Sequence, residues 1–135
     1  MRALGLRGLI LLGSMLLGLN AATAADAPKP LSGTEIKAVL GGSTASGTTA
    51  KGETWVEYYV PGGGIHGLWQ EKNRYTGSWR VDGDKFCAKY PDTPDSNYCA
   101  GIAVEGHVLY YLKDDGSIDA DGGPYKLDIG NPEHL

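Results

Sequence analysis

The chain has 135 residues, with 16 acidic against 12 basic side chains and a formal net charge of −4. That length builds one domain with a modest core. A negative chain without a basic cluster argues against nucleic-acid binding, where phosphate neutralisation supplies most of the affinity, and against docking on an anionic membrane surface.

The chain begins with Arg2 and Arg7, an apolar run over residues 9–19 and the small-x-small triplet Ala22-Thr23-Ala24, followed at once by the polar stretch Asp26-Ala27-Pro28-Lys29-Pro30. That order predicts a secretory signal peptide over residues 1–24. The apolar run is shorter than the ~18 residues a membrane-spanning helix needs. The expectation is a periplasmic or secreted protein with no membrane insertion after signal cleavage. Without Arg2 and Arg7 the balance is 10 basic against 16 acidic side chains, a net charge of −6.

Residues 25–30 read as a short mobile lead, and residues 31–135 as a single β-rich domain. Ser32-Gly33-Thr34-Glu35 has the form of a capping box, with Leu31 and Ile36 placed as a hydrophobic staple. Ile36, Val39 and Leu40 make one apolar stripe at helical spacing, and Gly41-Gly42 stops it. A helix this short does not persist alone, so its stripe must pack on the rest of the domain.

After Gly42 the chain reads as strands and turns. The predicted strands cover residues 43–49, 54–60, 65–70, 75–81, 85–90, 98–104, 107–113 and 125–129, with Pro61-Gly62-Gly63-Gly64, Asp82-Gly83, Glu105-Gly106 and Gly122-Gly123-Pro124 as punctuation. Such a series is an antiparallel meander, and an open sheet of that length would leave two edges and a broad apolar face exposed. Closure into a small barrel or sandwich removes both problems, with the helix over one end or face. Gly67 and Gly77 fall inside strand patterns, where glycine marks a bulge or a sharp coil of the sheet.

Cys87 and Cys99 are the two cysteines. In an exported chain an even count reads as a disulfide, and their spacing matches neither a redox CxxC nor a zinc motif. The intervening residues hold Pro91, Asp92, Pro94 and Asn97 and read as a loop between two strands. Closing a loop of that size contributes roughly 3 kcal/mol on the chain-entropy account.

Eight tyrosines and three tryptophans stand against a single phenylalanine. Strand alternation puts Trp55, Glu57 and Tyr59 on one face, Ile65, Gly67 and Trp69 on one face of the next strand, and Tyr75, Gly77 and Trp79 together on the third. The plain expectation is that these rings fill a barrel poor in aliphatic side chains. The functional one is an aromatic cup or stacking surface around Trp55, Tyr59, His66, Trp69 and Trp79.

His66, His107 and His134 show no metal-ligand spacing. The acidic run from Asp114 to Gly122 lacks the ligand alternation and closing glutamate of a calcium loop. There is no GxSxG elbow and no nucleophile beside a base; Glu57 and Glu71 are carboxylates whose pairing only a fold can decide. The expectation is a protein that is not an enzyme and has no metal or other cofactor.

Leu31-Ser32-Gly33-Thr34-Glu35-Ile36, Gly47-Thr48-Thr49, Trp55-Val56-Glu57-Tyr58-Tyr59, Tyr75-Thr76-Gly77-Ser78-Trp79, the cysteine pair and Gly130-Asn131-Pro132 together resemble a family of small exported bacterial β-domains of unknown function. Thr76-Gly77-Ser78-Trp79 is also similar to the GxW element of lipocalin-like barrels, although here it lies mid-chain rather than in the first strand. The resemblance implies an exported barrel-like domain and transfers no catalytic residue. The functional expectation is a cell-envelope binding module for a small apolar or saccharide ligand, or for a partner protein in the manner of an inhibitor. The competing expectation is a periplasmic enzyme, metal-dependent through His66 or His107 or else carboxylate-based.

Overall fold

The computed structural model describes residues 27–135, with the backbone alone for 94–96. The expected leader over residues 1–24 lies outside the described residues. The domain is an eight-stranded antiparallel barrel: helix α1 (Gly33–Leu40), then β1 (Ser43–Thr48), β2 (Thr54–Tyr59), β3 (Gly64–Trp69), β4 (Asn73–Asp82), β5 (Lys85–Tyr90), β6 (Thr93–Glu105), β7 (Val108–Leu112) and β8 (Tyr125–Ile129). Each strand pairs with the next, and β8 returns to β1 from Ser43↔Ile129 to Ser46↔Lys126, closing the ring. Closure leaves no free sheet edge among the described residues, which is what a long meander requires.

Helix α1 starts as its sequence dictates. The Ser32 hydroxyl accepts from the Glu35 amide at 3.2 Å, and the Glu35 carboxylate accepts from the Ser32 amide at 2.7 Å. Ile36 and Leu40 point into the barrel and are fully buried. Two long-range bonds fix the helix over that end: the Leu31 amide donates to the Ile102 carbonyl at 2.8 Å, and the Gly33 amide to Asp84 Oδ1 at 2.8 Å. A Cβ at Gly33 would run into the Gly83 carbonyl, so only glycine lets the helix come this close. The helix packs against β1, β4 and β5, and it closes one mouth of the barrel.

Alternation holds along the strands that matter for the site. In β2, Trp55, Glu57 and Tyr59 are buried and their neighbours are not. The core near the helix consists of Ile36, Leu40, Ile65, Phe86, Ile102 and Leu109, with Tyr59 meeting Phe86 edge-on at 5.5 Å and Trp79 at 6.1 Å between ring centres.

Cys87 and Cys99 form a disulfide between directly opposed residues of β5 and β6, and no free cysteine occurs among the described residues. Phe86 and Ala88 face the core, so the bridge lies on the outer face of the barrel. The segment after Tyr90 differs from the loop expected of it. Pro91-Asp92 alone make the turn, and β6 begins at Thr93. Tyr90 pairs with Thr93 while Ala88 pairs with Tyr98, so β6 carries extra residues against β5. Such a bulge accommodates Pro94, which has no N–H for a regular ladder.

The other end of the barrel stays open. β7 pairs with β8 only through Val108↔Lys126 and Leu109↔Tyr125. Beyond that the chain after β7 folds back on it: Tyr111 N–H donates to the Gly122 carbonyl at 2.8 Å, Asp119 N–H donates to the Tyr111 carbonyl at 3.0 Å, and Leu112 bridges Ile118. This return lays Asp119 and Asp121 along the open mouth.

Candidate functional site

The open end holds a cup of about 240 Å³. Its walls come from inward positions near the ends of the strands: Trp55 and Trp69, directly paired across β2 and β3, then Tyr75 of β4, Tyr90 of β5 and Tyr125 of β8. Tyr98 and Tyr111 complete the aromatic lining, and Glu57 and Phe86 form its floor. A groove sharing Glu57, Trp69, Tyr75 and Tyr90 runs outward beside the turn at Pro91, with Arg74 on its outer edge.

Glu57 is the centre of this arrangement. It is 7 % exposed, the only buried charged side chain among the described residues. Its Oε1 accepts from the Tyr75 hydroxyl at 2.8 Å and from the Tyr90 hydroxyl at 2.6 Å; its Oε2 accepts from the Tyr59 hydroxyl at 2.9 Å. Tyr59 and Tyr111 share a further bond at 2.9 Å. No ion pair to Glu57 occurs among the described residues. A buried carboxylate is costly unless its oxygens are satisfied, and three phenols meet that demand here.

The phenols respond in kind. Burial, and then the negative charge of Glu57, push Tyr59, Tyr75, Tyr90 and Tyr111 well above the usual tyrosine range. Tyr98 is pushed up to about 12 by burial and by Asp119. Each of these rings therefore stays a neutral hydrogen-bond donor at physiological pH.

The reach of these rings to Glu57 is written in the register. Glu57 lies opposite Gly67, and Gly67 lies opposite Tyr75. A Cβ at Gly67 would occupy the space of the Tyr75 ring, so the ring lies flat over the glycine and carries its hydroxyl one strand further, to Glu57. The same arrangement recurs between Gly77 and Tyr90, on β4 and β5, and between Gly47 and Tyr125, on β1 and β8. Tyr125 uses its hydroxyl on the Asp121 carbonyl at 2.5 Å, which ties the acidic return segment to the wall. The inward glycines of this sheet are thus seats for rings. Trp55 and Tyr125 meet edge-on at 4.9 Å, and Tyr75 and Tyr90 at 5.8 Å.

Of the five residues expected to form a binding surface, Trp55 and Trp69 meet in the cup. Tyr59 lies beneath the floor, fully buried, and serves the cup through its bond to Glu57. Trp79 is at the opposite, helix-covered end, where its indole N–H donates to the Val60 carbonyl at 3.0 Å. His66 is exposed and alternates with the buried Ile65 and Gly67, so it lies on the outside of β3. The strand pattern already puts Glu57 on the inward face between two rings, and a charged side chain at such a position is the signal that singles it out. Glu71 is exposed in the turn after β3 and does not join it.

His107 is exposed, with Nδ1 3.2 Å from the Leu127 carbonyl. Among the described residues no group of three or more His, Cys, Asp or Glu side chains could hold a metal ion. The acidic run is divided by its own bonds: Asp114 pairs with Lys85, Asp115 holds the Ser117 amide at 2.9 Å, and Asp121 holds the Ala50 amide at 2.8 Å. No helix of the described residues is long and apolar enough to cross a membrane.

No protein-family model matches this chain, and neither curated proteins nor solved structures give a match.

Proposed function

We propose that the chain is a non-catalytic binding module of the cell envelope, exported by its leader, that holds a small ligand in the cup at the open end of the barrel. The observation that carries this reading is the cup itself: aromatic walls of Trp55, Trp69, Tyr75 and Tyr125 around the buried Glu57. Concave, mostly aromatic sites with a few fixed polar groups are the usual form of small-molecule pockets. A volume of about 240 Å³ lies below the ~300–1,000 Å³ that suits drug-sized ligands, so the guest is small. Export is supported by the positive start, apolar run and small-residue site of the leader, and by the oxidised Cys87–Cys99 pair.

Binding is favoured over turnover by the state of Glu57. A carboxylate acting as base or nucleophile needs an oxygen turned to substrate. Three phenols already occupy those of Glu57.

The three indole N–H groups provide the test, because Trp55 and Trp69 lie in the cup and Trp79 lies at the other end. Benzyl alcohol, methyl β-glucoside and choline are titrated in turn while the indole resonances are followed. Saturable shifts at Trp55 and Trp69, with Trp79 unmoved, are the expected result for at least one of them. Silence from all three compounds, or shifts confined to Trp79, would overturn the reading.

A further inference from the structure

The residues around the cup also bear on the chemistry of its guest, provided that the cup is a binding site as proposed. Every charged side chain lining the cup is acidic: Glu57 in the floor, Asp119 and Asp121 at the mouth. The adjoining groove is lined by one cation, Arg74, and by Asp92. The cup interior is therefore a negative field enclosed by aromatic rings.

A second observation narrows the class. Glu57 has spent most of its accepting capacity: a carboxylate offers about four lone-pair positions, and three are taken by Tyr75, Tyr90 and Tyr59. What remains for a guest is its charge, and little of its hydrogen bonding. A sugar, which binds through many hydroxyls seeking acceptors, gains little from such a floor. A cation that needs no hydrogen bond gains the whole field, together with contact to the Trp55, Trp69 and Tyr125 rings that line the cup.

We infer that the cup binds a small quaternary ammonium ion of choline size as a free solute. A phospholipid head group carries the same cation beside a phosphate, and that phosphate would meet Asp119 and Asp121 at the mouth. The charge at the entrance therefore selects the free ammonium ion over the lipid.

The test compares choline with 3,3-dimethylbutan-1-ol, the neutral molecule of the same shape in which carbon replaces nitrogen. Choline is expected to bind at least about tenfold more tightly, read from the Trp55 and Trp69 indole shifts, and to weaken with added salt. Glu57→Gln keeps the shape of the floor and removes its charge. It is expected to lower choline affinity about tenfold and leave the alcohol within about twofold. If Glu57→Gln does not fold, the Asp119→Asn, Asp121→Asn double variant serves, with a loss of about threefold for choline alone.

Equal affinities, or tighter binding of the alcohol, would overturn the ammonium assignment while leaving the cup a binding site. Silence from choline, benzyl alcohol and the glucoside together removes the binding reading as well. Co-sedimentation with phosphatidylcholine vesicles would overturn the free-solute assignment; the expected result is none.

Discussion

Glu57→Ala is expected to destabilise the domain by about 4 kcal/mol in urea unfolding, with a fall in Tm of about 15 °C. The substitution removes one acceptor and leaves three donors. Tyr75 and Tyr90 lose the acceptor that both hydroxyls point at, Oε1, and Tyr59 keeps only Tyr111. Unpaired buried donors cost about 1–3 kcal/mol each, and bonds to a charged acceptor stand at the upper end of that range. Glu57→Gln should cost roughly half as much, about 2 kcal/mol, because the amide oxygen still accepts while its NH₂ faces a phenol donor. A Glu57→Ala variant as stable as the parent would mean that desolvating the carboxylate costs as much as its bonds contribute, and that the phenols do not depend on it.

Gly67→Val is expected to be nearly as damaging, at about 3 kcal/mol. Even the first added carbon would lie in the Tyr75 ring, and a β-branched side chain adds two more. The ring must then leave the wall, and its hydroxyl leaves Glu57 with it. The diagnostic form of this experiment is a double-mutant cycle with Tyr75→Ala. If the ring alone is what forbids a side chain at Gly67, the double variant is no less stable than Tyr75→Ala by itself, and the coupling equals the whole cost of Gly67→Val, about 3 kcal/mol. Strictly additive losses would show that Gly67 is needed for its backbone and not as a seat for the ring.

These two sites also mark how far the sequence reaches. Turn residues such as Asp82-Gly83 and Glu105-Gly106, and the alternation of Trp55, Glu57 and Tyr59, are local signals, and the strands they predict stand within a few residues of those observed. The capping box and the disulfide are equally local: each pairs residues whose spacing already has a geometric meaning. The meander admits a barrel or a sandwich, and the β1–β8 pairing that decides for a barrel joins residues eighty or more positions apart.

The cup is less legible for the same reason. Gly67 and Gly77 stand out inside strand patterns, but reading them as places for rings needs the cross-strand register that sets Tyr75 and Tyr90 over them. Whether an inward ring belongs to the cup or to the closed core depends on which end of the barrel it occupies. Trp79 and Trp69 are alike in pattern and lie at opposite ends, because the helix reaches one mouth only. His66 sits one position from an inward-facing residue, and parity alone turns it outside. Asp119 and Asp121 reach the mouth through a return segment held by bonds to Tyr111 and Ala50, which no periodicity announces.

One carboxylate is kept inside the barrel by a shell of phenols whose ionisation the fold opposes, and the cup depends on that shell. Alkaline titration addresses it directly. Tyr59, Tyr75, Tyr90 and Tyr111 have folded-state pKa values raised above the ordinary value of 10.0, by burial first and by Glu57 next. Their contribution to stability is fully present below pH 10 and is lost as the pH climbs beyond it, because the unfolded chain releases protons that the fold retains. Each such phenol removes about 1.4 kcal/mol per pH unit above that point, so four acting together make the decline steep. Phenolate absorbance and far-ultraviolet circular dichroism, followed in one titration, should show these four tyrosines ionising in a single sharp step together with loss of the β-sheet signal. Gradual ionisation of these four around pH 10, with the sheet intact, would contradict it.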